Sequence, residues 1–379
     1  MYIINMVFNV IVSALIVIQS AFALPFNTVI FCIDNGASVF ETGDNMYTVI
    51  WSTSLPGTGY VTYNYGGEEY TVKDESNGVI RSTDSIHSVR IPKEHLDGNT
   101  YTYHSQYVGT RRAYVAVKGR TVSSKPVAFR GYSGQDEIHV LFLSDIHENP
   151  SAAAKAVKNL NKDADLIIMN GDAVSFMTAA YKFKQVLSYA YRFSDGSIPV
   201  IYTRGNHENR GEYGSEAVEI FKTSTGGMYF TCNYGPVQFL CLDSGEDKSD
   251  SDFSYSGLVD YTSYIARETE WMRSLTLDED AKYRIGIAHI PRLSDRYGNN
   301  WSEILEYLGI DLFIAGHKHR INFEYSKDQA SFPLMLDGGK NGDDRYIATM
   351  VNIRDSEIYV ESYDNEGTMR GDYTYTFSS

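Results

Sequence analysis

Cysteine is scarce: Cys32, Cys232 and Cys241 are the whole supply in 379 residues. That excludes a scaffold built on disulfides, and none of the three has the spacing of a zinc site. An odd number leaves at least one thiol unpaired in an exported chain. Cys232 and Cys241 flank the turn Tyr234-Gly235-Pro236, where simple register sets them diagonally, so buried free thiols are expected rather than a bridge. Basic residues are also short, 33 Lys and Arg against 48 Asp and Glu, for a formal net charge of −15. Such a chain has no general affinity for nucleic acid or anionic lipid, and no nucleic-acid-binding surface is expected. Internal repeats and low-complexity tracts are absent.

Long apolar runs are lacking too, save one. Residues 1–33 contain no Asp, Glu, Lys or Arg. Ile11 to Ile18 is apolar, and Ala21-Phe22-Ala23 before Leu24-Pro25 has the small-residue pattern of a cleavage site. The run is short for a bilayer span, so residues 1–23 are expected to be a cleaved signal peptide. The mature chain is then secreted, whether periplasmic or extracellular, with no membrane span.

What is plentiful is tyrosine, 30 residues, within an aromatic content of 13%. Aromatics suit pleated surfaces and point to a β-rich chain. From residue 24 to 130 short β-forming runs recur, at 47–51, 59–63, 87–91, 101–104 and 113–117. Gly66-Gly67, Asn77-Gly78 and Asp97-Gly98-Asn99 punctuate them. This spacing predicts a small β-sandwich, and residues 88–103 resemble the late strands of a fibronectin-type module. His87, His95 and His104 are scattered, without a ligand cluster. Residues 123–135 read as a linker. Beyond them strands at 138–143, 165–169 and 200–202 alternate with helices at 152–161, 176–193 and 215–222, which implies a mostly parallel sheet. A hairpin at 228–243, a helix at 261–275 and strands at 283–288, 312–315, 334–336, 347–353 and 358–363 follow. Asn300-Trp301-Ser302 is the one glycosylation-type tripeptide, relevant only in a glycosylating source.

Five of these strands end in the same way. Ile138 to Ser144 runs into Asp145-Ile146-His147, whose i, i+2 spacing lets both side chains grip one cation. Leu166 to Asn170 runs into Gly171-Asp172. Pro199 to Thr203 runs into Arg204-Gly205-Asn206-His207-Glu208. Arg284 to Ala288 runs into His289, and Leu312 to Ala315 into Gly316-His317-Lys318-His319. Each ending alone is an ordinary turn or an isolated histidine. Together they put oxygen and imidazole donors at one address, the C-terminal edge of a sheet, where open α/β folds carry their sites. Asp145, Asp172, Asn206, His147, His289, His317 and His319 are too many for one tetrahedral ion and suit two. Mixed nitrogen and oxygen donors favour Mn, Fe, Zn or Ni over Mg or Ca.

These motifs, in this order, resemble the calcineurin-like metallophosphoesterase superfamily over roughly residues 138–379. With the β-sandwich in front, the layout is similar to purple acid phosphatases. The resemblance implies an α/β layered sandwich of mixed sheets flanked by helices, residues 131–379, behind a fibronectin-III-like sandwich, residues 24–130. It implies two divalent or mixed-valence transition-metal ions. One would take Asp145, His147, Asp172 and His319, the other Asp172, Asn206, His289 and His317, with Asp172 bridging. It further implies hydrolysis of a small-molecule phosphate ester by metal-bound hydroxide. Asn206 and His207 would contact the substrate, His207 as general acid, and Glu208 would orient neighbours. Two departures stand out. Ser175 occupies the position of the tyrosine ligand of purple acid phosphatases, and His147 that of a glycine, so a purple Fe(III) centre is not expected. The signature of protein Ser/Thr phosphatases after Gly171-Asp172 is missing as well. Phosphomonoesterase, phosphodiesterase and nucleotidase activities share this core; a non-catalytic binding protein would be expected to have lost a ligand. Arg204, Arg292 and Arg296 lie near the motifs as candidate phosphate-holding groups.

Overall fold

The computed structural model describes residues 2–112, 115–294, 296–325, 330–342 and 344–377. Strands Ile138–Leu143, Leu166–Asn170 and Pro199–Thr203 pair in parallel and are buried along nearly their whole length. Side chains alternate across a strand, so one face sends Val140, Phe142, Leu166, Ile168 and Ile201 inward. The other face sends Leu141, Leu143, Ile167, Met169, Val200 and Tyr202 outward against a second apolar layer. That is why these strands read as continuous apolar runs rather than alternating ones. Strands Val237–Cys241, Tyr283–Ala288 and Leu312–Ala315 form the facing set, also parallel. Phe239, Ile285, Ile287, Leu312 and Ile314 complete the central layer.

Helices cover both outer faces. Pro150–Leu160 and Tyr181–Ser194 lay Ala153, Ala156, Phe183, Val186 and Leu187 on the first sheet. Tyr261–Ser274 and Trp301–Tyr307 lay Ile265, Met272, Trp301 and Leu305 on the second. The two halves join through Leu334–Lys340, parallel to Leu312–Ala315 and antiparallel to Tyr346–Ile353. Tyr346–Ile353 in turn lies antiparallel to Ile138–Leu143. The result is a helix–sheet–sheet–helix sandwich of mixed sheets.

Local chemistry sets the helix ends. Asn149 caps Pro150–Leu160 by accepting from Ala152 N at 3.3 Å, with Pro150 in the first turn. The third expected helix is a 3₁₀ turn, Gly214–Glu216, followed by the short helix Ala217–Phe221. The helix expected from residue 176 begins only at Tyr181. The stretch before it is held open because its backbone groups bond elsewhere: Ser175 N to Glu148 Oε1 at 2.9 Å, and Met177 N to Arg210 O at 2.6 Å.

In the N-terminal region Ile33–Glu41, Met46–Thr53 and Ile86–Pro92 form one layer. A five-stranded sheet that includes Gly57–Tyr65, Glu68–Lys73 and Thr100–Arg112 forms the other. Trp51, Val61, Tyr63, Val89, Tyr101 and Phe129 are buried between them. Ile33–Glu41 also pairs in parallel with Pro199–Thr203, Val39 opposite Pro199 and Phe40 opposite Val200. One sheet therefore runs through strands from both sides of residue 130. His87, on strand Ile86–Pro92, is buried beside Trp51 and 3.0 Å from Thr53 Oγ1.

Helix Tyr2–Ile30 runs through Ala23 and Pro25. Among the described residues no single helix is long and apolar enough to cross a membrane, although the bent pair Asn5–Gln19 and Phe22–Ile30 passes that test jointly. Cys232 and Cys241 are buried free thiols on diagonal positions, Cys232 opposite Phe239 and Cys241 opposite Phe230. Cys32 is exposed. Asn300 and Ser302 bond to each other at 2.6 Å at the start of Trp301–Tyr307, with Ser302 buried.

Candidate metal centre

All seven predicted ligand residues lie together at the C-terminal ends of the parallel strands. The ligand atoms of Asp145, His147 and His319 fall within 4.8 Å of one another, as do those of Asp172, His289 and His317. Asp172 also groups with His147 and His207. Asn206 Oδ1 lies 3.1 Å from His317 Nδ1, which places the amide in the second group.

The chain reaches these positions through backbone that few side chains favour. Asp145, His147, Asp172, His317 and His319 have φ of 49°, 42°, 53°, 68° and 52°. Left-handed backbone at non-glycine residues costs about 1–3 kcal/mol each and concentrates at functional sites. Glycine is required beside them. A Cβ on Gly205 would sit 2.2 Å from Asp172 Oδ1 and 2.4 Å from Asp172 N. Gly171 has φ of +80°, and a Cβ there would meet His289 Nδ1 at 2.7 Å.

Asp145 and Asp172 are essentially fully buried. Burial opposes their ionisation, yet the charge of His289 holds both below the usual carboxylate range. Burial likewise opposes charge on His289, but the two carboxylates outweigh it and push the ring up to about 10. His317 goes the other way, down to about 4, through burial and the neighbouring His289. Asp145 Oδ1 and His289 Nε2 are buried with no hydrogen-bond partner. His289 Nε2 is 3.0 Å from Asp172 Oδ2, close but not aligned as a hydrogen bond. Its Nδ1 faces Asn170 O at 2.7 Å; a carbonyl only accepts, so Nδ1 holds a hydrogen, and Nε2 is the atom that would release its own proton to take a cation. Orphaned donor atoms, paired buried carboxylates and a mixed nitrogen–oxygen set all fit transition-metal ions.

A ring of supporting groups fixes these ligands. Glu208, buried, collects four backbone N–H groups: Ala173 at 2.6 Å, Val174 at 3.3 Å, Asp172 at 2.9 Å and Gly205 at 3.0 Å. Burial, together with the charge of Asp172, raises its pKa to about 7. Asp337 accepts from Ser144 Oγ at 2.6 Å and from Asn170 Nδ2 at 3.1 Å, so it anchors the strand ends that carry Asp145 and Asp172. Sequence reasoning missed Asp337 because Leu334–Lys340 reads simply as a buried strand; a carboxylate inside such a run was the available signal.

His207 N donates to Asp172 Oδ1 at 2.9 Å, and its Nδ1 lies 2.9 Å from Ser175 O. That carbonyl assigns the hydrogen to Nδ1. Arg210 Nη1 reaches His207 Nε2 at 3.1 Å, while Glu246 holds the same guanidinium at 2.8 and 3.0 Å. Arg210 was also missed, since nothing in its spacing marks it. The three arginines singled out by proximity sit differently. Arg204 is committed to Asp243 at 2.6 and 3.0 Å, and Arg296 is buried, donating to Glu246 O at 3.2 Å. Arg292 is exposed.

Comparison with known proteins agrees with this geometry. Residues 138–320 match the family described as calcineurin-like phosphoesterase. The human protein named serine/threonine-protein phosphatase CPPED1 is 24% identical over 188 residues, 44% of this chain and 57% of that protein. Its Pongo abelii counterpart matches to the same extent, 24% over 188 residues. This chain thus spans 57% of the length of these curated relatives. A solved structure described as PhoD superposes with a TM-score of 0.54 over 90% of each chain at 10% identity, a likeness of fold. The matched segment, residues 138–320, is therefore similar to calcineurin-like phosphoesterases, and it holds all five strand endings that meet in the shared pocket.

Proposed function

We propose that this protein hydrolyses phosphate esters at a dinuclear metal centre, with His207 as the general acid. The observation that carries the reading is the convergence of seven donors from five separate strand ends, with Asp145 Oδ1 and His289 Nε2 buried and lacking an aligned hydrogen bond. Asp145, His147, Asp172 and His319 would hold one cation, and Asp172, Asn206, His289 and His317 the other. Such a pair supplies Lewis acidity toward phosphoryl oxygens and a water nucleophile at neutral pH.

The chain's own groups do the rest. His207 is fixed at Nδ1 by Ser175 O; as general acid it would take up a proton at Nε2 in place of the Arg210 Nη1 donor 3.1 Å away, and give that proton to the leaving oxygen as the bond from phosphorus to that oxygen breaks. Asp172 fixes the His207 backbone, so acid and ligands share one frame. Glu208 holds the loops of Asp172 and Gly205 together. Ser175 in place of a tyrosine ligand supports a centre without purple ferric iron. The charge-free N-terminal stretch supports export with removal of residues 1–23. The name of the curated relative supports monoester hydrolysis. Assay of the metal-loaded chain on a nitrophenyl monoester and a bis-nitrophenyl diester, with and without chelator, tests the reading. Chelator-sensitive release of nitrophenol is expected; absence of release from both esters overturns it.

A further inference from the structure

We infer that Phe176 is a specificity residue that selects phosphate esters whose leaving group carries a flat aromatic ring next to the ester oxygen. The inference rests on the reading above and adds the substrate class. Phe176 is 51% exposed, unusual for a phenylalanine in a chain whose other loop apolar groups near the site, Val174 and Met177, are fully buried. Its ring centroid lies 6.0 Å from that of His207, with the planes at 52°.

The residues on either side of Phe176 are tied to the acid's own loop. Ser175 presents its carbonyl to His207 Nδ1 at 2.9 Å, and Met177 N donates to Arg210 O at 2.6 Å. Tyr213 N closes the loop on Met177 O at 3.0 Å. Glu148 holds Ser175 through N at 2.9 Å and Oγ at 2.6 Å, and is itself paired with Lys182 at 2.8 Å. The exposed ring is therefore carried on backbone fixed relative to His207. The acid must reach the leaving oxygen, so whatever is attached to that oxygen lies beside His207 and within reach of Phe176. A flat ring there gains an offset or edge contact with Phe176, which a short polyol lacks.

The test uses the full metal-loaded chain and compares kcat/KM on phenyl phosphate with that on glycerol 2-phosphate, in the parent, Phe176→Ala and Phe176→Leu. The ratio of aryl to alkyl efficiency is expected to fall about two- to tenfold in Phe176→Ala, the size of one aromatic contact, and by no less in Phe176→Leu than in a Phe176→Tyr control. Competition by phenylphosphonate over methylphosphonate should weaken in parallel. An unchanged ratio in Phe176→Ala and Phe176→Leu, with the parent active on both esters, overturns the inference and leaves the phosphoesterase reading standing. Inactivity of the metal-loaded parent on both esters overturns both.

Discussion

Replacing Glu208 with glutamine isolates what holds the centre together. Oε1 accepts Ala173 N at 2.6 Å and Val174 N at 3.3 Å, and Oε2 accepts Asp172 N at 2.9 Å and Gly205 N at 3.0 Å. A glutamine keeps one oxygen, so two buried N–H groups lose their acceptor and face an amide donor. At a pH above the value of about 7 to which Glu208 is raised, the carboxylate is ionised, and two stranded buried donors at about 1–3 kcal/mol each put the loss of unfolding free energy in Glu208→Gln at about 2–6 kcal/mol. Because all four N–H groups lie on the loops of Asp172 and Gly205, losing half of their acceptors loosens the Asp172 loop, and metal affinity should fall about 10- to 100-fold, the usual effect of removing a ligand's supporting partner. Urea unfolding of the variant, followed by a metal titration, reads both quantities. A stability change under about 0.5 kcal/mol with parental metal affinity would refute the role assigned to Glu208.

His207→Ala should retain metal by elemental analysis while kcat falls about 10²- to 10⁴-fold, because the ring serves the leaving group and not the ions. Gly205→Ala drives a Cβ to 2.2 Å from Asp172 Oδ1 and should abolish metal retention while circular dichroism stays near that of the parent. His87 makes stability depend on pH. Burial, reinforced by the charge of Lys184, lowers its pKa from 6.5 to about 3, so the unfolded chain binds the extra proton and stability falls as pH drops below 6.5. The loss is about 2 kcal/mol by about pH 5 and levels off below the folded value, and His87→Gln should flatten that slope in denaturation midpoints. If residues 1–23 are removed as proposed, mass spectrometry of the protein purified from its own source should find Leu24 at the N-terminus; an intact Met1 would contradict that removal.

Much of the sandwich was legible because its strands are covered on both faces. Val140 and Phe142 face one core and Leu141 and Leu143 the other, so a buried strand shows as an unbroken apolar run with a sharp polar end. The ligand residues stood out because they are those ends. The pairing of Val39 with Pro199 was not legible, since no local pattern specifies a partner some 160 positions away. The helix start near residue 176 was misread because Phe176, Met177, Tyr181 and Phe183 mimic a helical apolar stripe. Contacts from Glu148 and Arg210, distant in sequence, hold that stretch open instead. Arg210 was invisible for the same reason, since its role comes from a partner that only the folded chain supplies, whereas Asp337 left one signal, a carboxylate within a buried strand.

The central claim is that two cations share Asp172. The most direct measurement is the metal-to-protein stoichiometry of the purified, metal-loaded chain by elemental analysis, compared with Asp172→Asn. The account predicts two ions per parent chain and, in the variant, fewer than one retained through dialysis. A parent chain that binds no transition metal, or a variant that keeps both ions, would contradict it.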